Sequence, residues 1–425
     1  MFFKQFISVL SLTVMPTVFF CCTRQLSAGQ EIVERAKLIH EKVLTLDTHV
    51  DIPGSRYATE AFDPGIDHPK LKCDLVKMNK GGVDGVFLAA YVRQIKRDAE
   101  GYKKAYESAM GKLKAIRRLT DNMYPDRCAL ATSPDDVERI VKTGRKAIMI
   151  GIENGFAIGK DLSNLERFYN LGVRYITLSH NGHNDICDSC NPREKLGDRK
   201  KEHDGLSNFG EKVVAEMNRL GIMVDVSHIS VESFYDVIRV SKAPIIASHS
   251  GCRALADHSR DLNDEQLKAL AKNGGVIQIV ALGGFLKLIL PQRRKAISDL
   301  RKELVDGRIN DEKFHERMKE IDTKYPPANL SDFVDHMEHA IKVAGIDHVG
   351  IGSDFDGGGG IPGFNDHSEA PNVTIELVKR GYSEEDICKI WGANLLRVWR
   401  EAEKVARDLQ KGTKRGRVGN RQAVR

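Results

Sequence analysis

The chain has no internal repeat, no Pro/Ser-rich linker in its interior and no apolar run that suits a membrane span. The missing repeat argues against a solenoid, and the missing linker against a string of tethered modules. Structural zinc knuckles are excluded on similar grounds. Of the eight cysteines, only Cys187 and Cys190 form a C-x-x-C pair, and no second pair exists to complete a knuckle. Cys21 and Cys22 belong to the N-terminal segment, and Cys73, Cys128, Cys252 and Cys388 are scattered. In an exported protein the close pair suits a disulfide; two free or buried thiols fit it equally well.

Basic charge is scarce once it is located. The formal net charge is +6, yet residues 404–425 hold eight Lys/Arg against one Asp. That segment therefore carries +7 and leaves the remainder close to neutral, at −1. A basic stretch with Gly, Gln and Thr reads as a solvated, disordered tail over 403–425. No aromatic residue is interleaved with it for base stacking, which excludes nucleic acid as a partner.

What is present is an ordinary globular composition, 41% hydrophobic and 29% charged. Its 425 residues could hold several domains, but an α/β barrel runs past about 250 residues as one. The start differs from the rest. One charge, Lys4, precedes an apolar run from Phe6 to Phe20 that ends at Cys21 and Cys22. This is the pattern of an export leader over 1–22. A cysteine there is where a bacterial lipoprotein is cleaved and lipidated, although Val18-Phe19-Phe20 is bulkier than such a site prefers. The expectation is an exported protein, periplasmic or lipid-anchored to the cell envelope. Any membrane contact would run through that anchor, and a homodimer is left open. The folded unit is expected over 30–402.

Within it, short runs rich in Val, Ile, Leu and Ala recur at 43–46, 85–90, 147–152, 174–178, 223–226, 244–247, 275–280 and 348–352. Near-continuous apolar runs are the signature of parallel strands buried on both faces. Amphipathic stretches such as 31–41, 102–119, 164–170, 210–220, 231–240 and 264–272 alternate with them. Gly221 and Gly345 stand where helices should end. Eightfold alternation of strand and helix predicts a single TIM-like (β/α)₈ barrel. About 65 residues separate the last two runs. Their two helical stretches, 292–322 and 330–343, form an insertion of the kind that makes a lid or substrate wall.

The first polar residues after these runs are His49 and Asp51, Glu153, His180, His228, His249, and Asp354 with Asp356. In a barrel all of them face the C-terminal mouth. Any one histidine is better explained by packing, but six of eight strands ending in His, Asp or Glu are not. Imidazoles and carboxylates are the ligands that zinc prefers. His49 and Asp51, two apart on an extended segment, point the same way. His183 and Asp185 repeat the spacing inside a loop and read as a loop feature. Glu153 ends a run that should be wholly buried, so its charge needs a cation. One metal could be held by His49, Asp51 and Glu153, another by Glu153, His228 and His249. A water or hydroxide would be shared between them, and the net positive site would polarise a carbonyl. His336 and His339 depart from the H-E-x-x-H metalloprotease pattern and read as a solvated helix face.

Six segments carry a resemblance: LDTHVDIP (46–53), GIENG (151–155), YITLSHNG (175–182), VDVSHIS (224–230), IIASHS (245–250) and GIGSDFDGG (350–358). Together they resemble the renal, or membrane, dipeptidase family over nearly all of 32–398. The resemblance implies a metallo-dipeptidase with two zinc ions per chain, bridged by Glu153 and a water or hydroxide. It implies His49, Asp51, Glu153, His228 and His249 as metal ligands and dipeptides as substrates. His180 matches the histidine that contacts the substrate carbonyl and the developing oxyanion. Arg260 matches the arginine that holds the substrate's C-terminal carboxylate. Asp354 matches the aspartate that moves a proton from water to the leaving amine. Asp356 reads as a structural partner. Two competitors differ in chemistry. A lactonase or phosphotriesterase of the same barrel class commonly bridges its metals with a modified lysine after the fourth strand, and no lysine stands there. A non-catalytic exported binding protein would not need Arg260 and Asp354 beside an intact ligand set.

Overall fold

The computed structural model describes residues 27–422; the expected leader at 1–22 lies outside the described residues. Nine parallel strands are present among those residues: β1 (Leu46–Asp51), β2 (Gly85–Tyr91), β3 (Cys128–Leu130), β4 (Lys146–Glu153), β5 (Val173–Thr177), β6 (Met223–Asp225), β7 (Ile246–Ser250), β8 (Val276–Ile279) and β9 (Val349–Ile351). Eight of them follow one another in the order β1-β2-β4-β5-β6-β7-β8-β9, and β3 pairs with β4 off that path. The ends meet through a parallel bridge between Val50 and Phe355. Thr48 Oγ1 donates to Ile351 O at 2.9 Å across the same seam. The architecture is the expected (β/α)₈ barrel.

Three strands depart from expectation; one is β7, which lies two to three residues later than 244–247 and so takes in His249. β1 begins at Leu46, three residues later than the run at 43–46 suggests. Val43 instead caps the preceding helix, Ala28–Lys42. The strand continues through Asp47, Thr48 and His49, all buried polar residues that an apolar run does not mark. His49 and Asp51 thus belong to the strand itself. β3 went unexpected because three residues are too few to show a period.

Helix ends follow local chemistry. Ser207 and Ser230 cap the helices Asn208–Leu220 and Val231–Val240 through their side-chain oxygens. Gly221 closes the first of these at φ 82°, the left-handed geometry that favours glycine. The C-terminal helix, Asn394–Gln422, packs Trp399 against Phe87, whose ring also meets Tyr175. It runs through the start of the segment expected as a loose tail: Ala406 is buried, and Gln410 donates to Arg219 O at 2.8 Å. No helix among the described residues is long and apolar enough to cross a membrane.

The connection from β8 to β9 holds the helices Pro291–Val305, Asp311–Lys324 and Leu330–Ala344. The first two pair with each other through Arg317–Glu303 and Arg293–Asp322 ion pairs. The third packs on the barrel and buries His336 to 1% exposure. His336 Nδ1 accepts from Cys252 N at 2.9 Å, and Nε2 lies 3.0 Å from Leu286 O. His339 lies 2.7 Å from Asp264 Oδ1. The expectation of a solvated histidine face is therefore corrected. A polar pattern on a helix does not reveal that His336 meets backbone groups of neighbouring segments or that His339 meets a carboxylate on a neighbouring helix.

Candidate metal centre and catalytic cavity

The strand ends converge on a cavity of about 600 Å³. Asp51, Glu153, His180, His228, His249, Arg260 and Asp354 line it, with His49 fully buried at its floor. Glu153 sits at the centre. Its Oε1 lies 2.9 Å from His228 Nε2, 3.4 Å from His249 Nε2 and 3.6 Å from His180 Nε2. Its Oε2 lies 3.8 Å from His49 Nε2. One oxygen of the carboxylate thus faces three imidazoles and the other faces His49. Asp51 and Asp354 join His49 in a further cluster of candidate ligands.

The electrostatics are those of buried acids among imidazoles. Burial pushes Glu153 up, but His180, His228, His249 and His49 outweigh it and hold the carboxyl well below its usual range. Burial and the Glu153 charge drive Asp51 well above its range. Asp354 is raised to about 7, by burial first and by Glu153. Burial lowers His228 and His249 far below an ordinary imidazole. In His49 burial is outweighed by Glu153, Asp51 and Asp354, which lift it to about 9.

A second layer of residues aims these rings. Tyr175 OH meets His49 Nδ1 at 2.9 Å, and Ser248 Oγ meets His249 Nδ1 at 2.9 Å. Asp225 accepts from Ser227 N, Ser248 N, Thr177 Oγ1 and Ser248 Oγ. Because Ser248 spends its proton on that carboxylate, its oxygen is left to accept from His249 Nδ1–H. The Nε2 lone pair of His249 then points toward Glu153, the tautomer a ligand needs. Tyr175 fits inside the barrel because β4 carries glycine at 151. A Cβ there would lie 2.1 Å from its ring.

Strain gathers at the same place. Asn154, His228, Asp354 and Asp356 all adopt positive φ without being glycine, a cost that surrounding structure must hold. Three consecutive backbone N–H groups, of Gly357, Gly358 and Gly359, donate to Asp354 O. A Cβ at Gly357 would lie 2.1 Å from Asp51 Oδ2 and 2.4 Å from Asp354 Oδ1. Asp356, which also lines the cavity, accepts from Lys72 N and Cys73 N at 2.8 and 3.2 Å.

Arg260 is 5% exposed. Its Nη2 donates to His249 O at 3.0 Å, and its guanidinium lies 5.3 Å over the Phe285 ring. Nε and Nη1 are buried and have no partner among the described residues. Leu282 and Phe285 are what the long connection contributes to the cavity wall; the charged helices beyond them do not line it. Cys187 and Cys190 are free thiols rather than a disulfide, and burial pushes Cys187 up to about 12. His183 holds the loop after β5, accepting from Ser189 N at 2.9 Å and meeting Arg199 O at 2.9 Å.

Sequence reasoning missed Tyr175, Ser248 and Asp225, which sit inside strand runs and look like packing. It also missed Asp47, which accepts from His49 N and Ser353 N and pairs with His367 at 2.8 Å. Lys112 lines the cavity from the helix Ala99–Arg118, a position that no strand-end rule points to.

A family model for membrane dipeptidases (peptidase family M19) matches residues 33–413. The chain is 35% identical over 344 residues to dipeptidase verJ of Clonostachys rogersoniana, covering 79% of this chain and 77% of that one. It is 32% identical over 399 residues to an uncharacterized dipeptidase of Schizosaccharomyces pombe, covering 90% and 84%. A crystal structure of the probable dipeptidase PvdM from Pseudomonas aeruginosa superposes with a TM-score of 0.79 at 32% identity, over 89% of this chain and all of that one. The chain therefore belongs to the membrane dipeptidase family of metallopeptidases, peptidase family M19.

Proposed function

We propose that this dipeptidase works with two zinc ions, held by His49, Asp51 and Glu153 on one side and by Glu153, His228 and His249 on the other. The observation that carries the reading is the division of Glu153. One oxygen faces His228 and His249, the other faces His49. The donor set fits the metal. The ligand atoms are nitrogen and carboxylate oxygen, and His49 Nε2 and Asp51 Oδ1 are buried without a hydrogen-bond partner. Zinc in such a site polarises a carbonyl and supplies hydroxide near neutral pH.

The chain's own residues do the rest. Arg260 offers Nε and Nη1 to the C-terminal carboxylate of a dipeptide, a planar donor pair for a planar acceptor. His180 lies beside Glu153 with its ring against Tyr91 and His228, where it can donate to the scissile carbonyl as charge develops. Asp354 accepts a proton from the attacking water and returns it to the leaving amine. Fixing the carboxylate at Arg260 selects substrates with a free C-terminus one residue beyond the scissile bond. A direct test compares hydrolysis of Ala-Ala with its C-terminal amide. Preference for the free acid supports the reading, and equal turnover contradicts it.

A further inference from the structure

The catalytic cavity has a neighbour of about 650 Å³, and the two share Tyr91, His180 and Asn181 as a common wall. This annexe is built by the end of β2 and the loop after β5. Arg93, Arg193, Lys195, Arg199 and Lys200 line it. None of the five forms an ion pair among the described residues, whereas most lysines and arginines near acids elsewhere on the surface do. The opposing carboxylates are Glu194 and Asp198. Asp198 is buried and committed to backbone, accepting from His183 N at 2.8 Å and Arg193 N at 2.7 Å. Together with the His183 bonds to Ser189 and Arg199, these contacts fix the loop that presents the cations. Arg193 and Arg93 act electrostatically on Tyr91, and Arg193 on His180, so their charge reaches the shared wall.

We infer that the annexe is a subsite for an acidic side chain on the amino-terminal residue of the dipeptide. The inference rests on the proposed function above. The scissile carbonyl belongs to the amino-terminal residue, and that carbonyl meets His180. Arg260 holds the other residue and does not line the annexe. The side chain next to the shared wall is therefore the amino-terminal one. Five unpaired cations beyond that wall favour a carboxylate there and disfavour lysine or arginine.

The test compares Glu-Ala with Gln-Ala, equal in size and different in charge, with Ala-Ala as reference. The cations are exposed, so each contributes modestly; together they should raise kcat/KM for Glu-Ala over Gln-Ala about 10-fold at low salt. The ratio should shrink toward one as ionic strength rises to about 0.5 M, where screening is short-ranged. Arg93→Gln combined with Arg193→Gln should lower the ratio several-fold and flatten its salt dependence. Loss of folding in the double variant would be seen by circular dichroism, in which case Lys195→Gln with Lys200→Gln reads the same ratio. Turnover of Ala-Ala and Gln-Ala with no gain for Glu-Ala overturns the subsite and leaves the dipeptidase reading intact. Failure to hydrolyse any of the three overturns the dipeptidase reading instead. The subsite is then judged by calorimetry with phosphinate isosteres of Glu-Ala and Gln-Ala on the metal-loaded protein. Tighter, salt-sensitive binding of the acidic isostere supports the subsite; equal binding or none overturns it.

Discussion

Replacing Arg260 by alanine separates substrate anchoring from catalysis. The guanidinium is buried, makes one hydrogen bond to His249 O and leaves Nε and Nη1 without partners in the cavity. On the proposed reading, a carboxylate bound there would form two charge-assisted hydrogen bonds to a guanidinium that is largely buried. Losing such an interaction costs about 1.5–3 kcal/mol, or roughly 10- to 100-fold in kcat/KM. Most of the loss should appear as a higher KM, because the carboxylate is held equally in ground state and transition state. The assay is a cycle of two enzymes and two substrates, wild type and Arg260→Ala against Ala-Ala and its C-terminal amide. The amide should already be poor with the wild type and should lose little more with the variant. Arg260→Lys should recover only part of the loss, since an ammonium cannot present a planar fork. If both substrates lost activity equally, or if kcat alone fell, the anchoring role would be refuted. The bond to His249 would then be the function of Arg260.

Three other residues give expectations of different kinds. Asp354→Asn should lower kcat about 10²- to 10⁴-fold while metal content stays unchanged; a fully metallated variant with near-normal kcat would leave proton transfer to another group. Tyr175→Phe removes the hydroxyl on His49 Nδ1 and should weaken metal affinity about 10- to 100-fold, read by competition with a chelator. Asp261 is buried and raised to about 7, chiefly by burial. Between about pH 4 and 7 the unfolded chain has released this proton and the folded chain keeps it, so stability falls as pH rises through that window. Asp261→Asn keeps an acceptor for Gly251 N, now 2.9 Å away, and removes the slope. Urea titrations should show the variant gaining on the wild type from pH 4 to 7, by up to about 4 kcal/mol; parallel curves would refute it.

The barrel was legible because its strands are buried on both faces and spell themselves out as apolar runs. The candidate ligands were legible because each closes such a run with a side chain that packing alone does not ask for. Legibility ended where polar residues enter the barrel. Asp47, Thr48 and His49 extended β1 beyond its apolar start, and Ser248 and Asp225 passed as ordinary strand residues. Their roles depend on neighbours some 20 to 300 positions away in the sequence. Leu282 and Phe285, rather than the charged helices that follow, form the wall next to the cavity. Charge and helical period mark a helix but not what it covers. The basic annexe was hidden for a similar reason, since Arg93 and the residues from 193 to 200 meet only in the folded chain.

Elemental analysis of protein purified without chelator tests most directly whether one carboxylate, Glu153, organises two metal ions. Wild-type protein should hold about two zinc ions per chain, as the two proposed ligand triads require. Glu153→Ala should hold close to none, because Asp51 is then the sole anionic ligand left in the set. Wild-type protein without metal, or a folded Glu153→Ala variant that retains both ions, would contradict that role of Glu153.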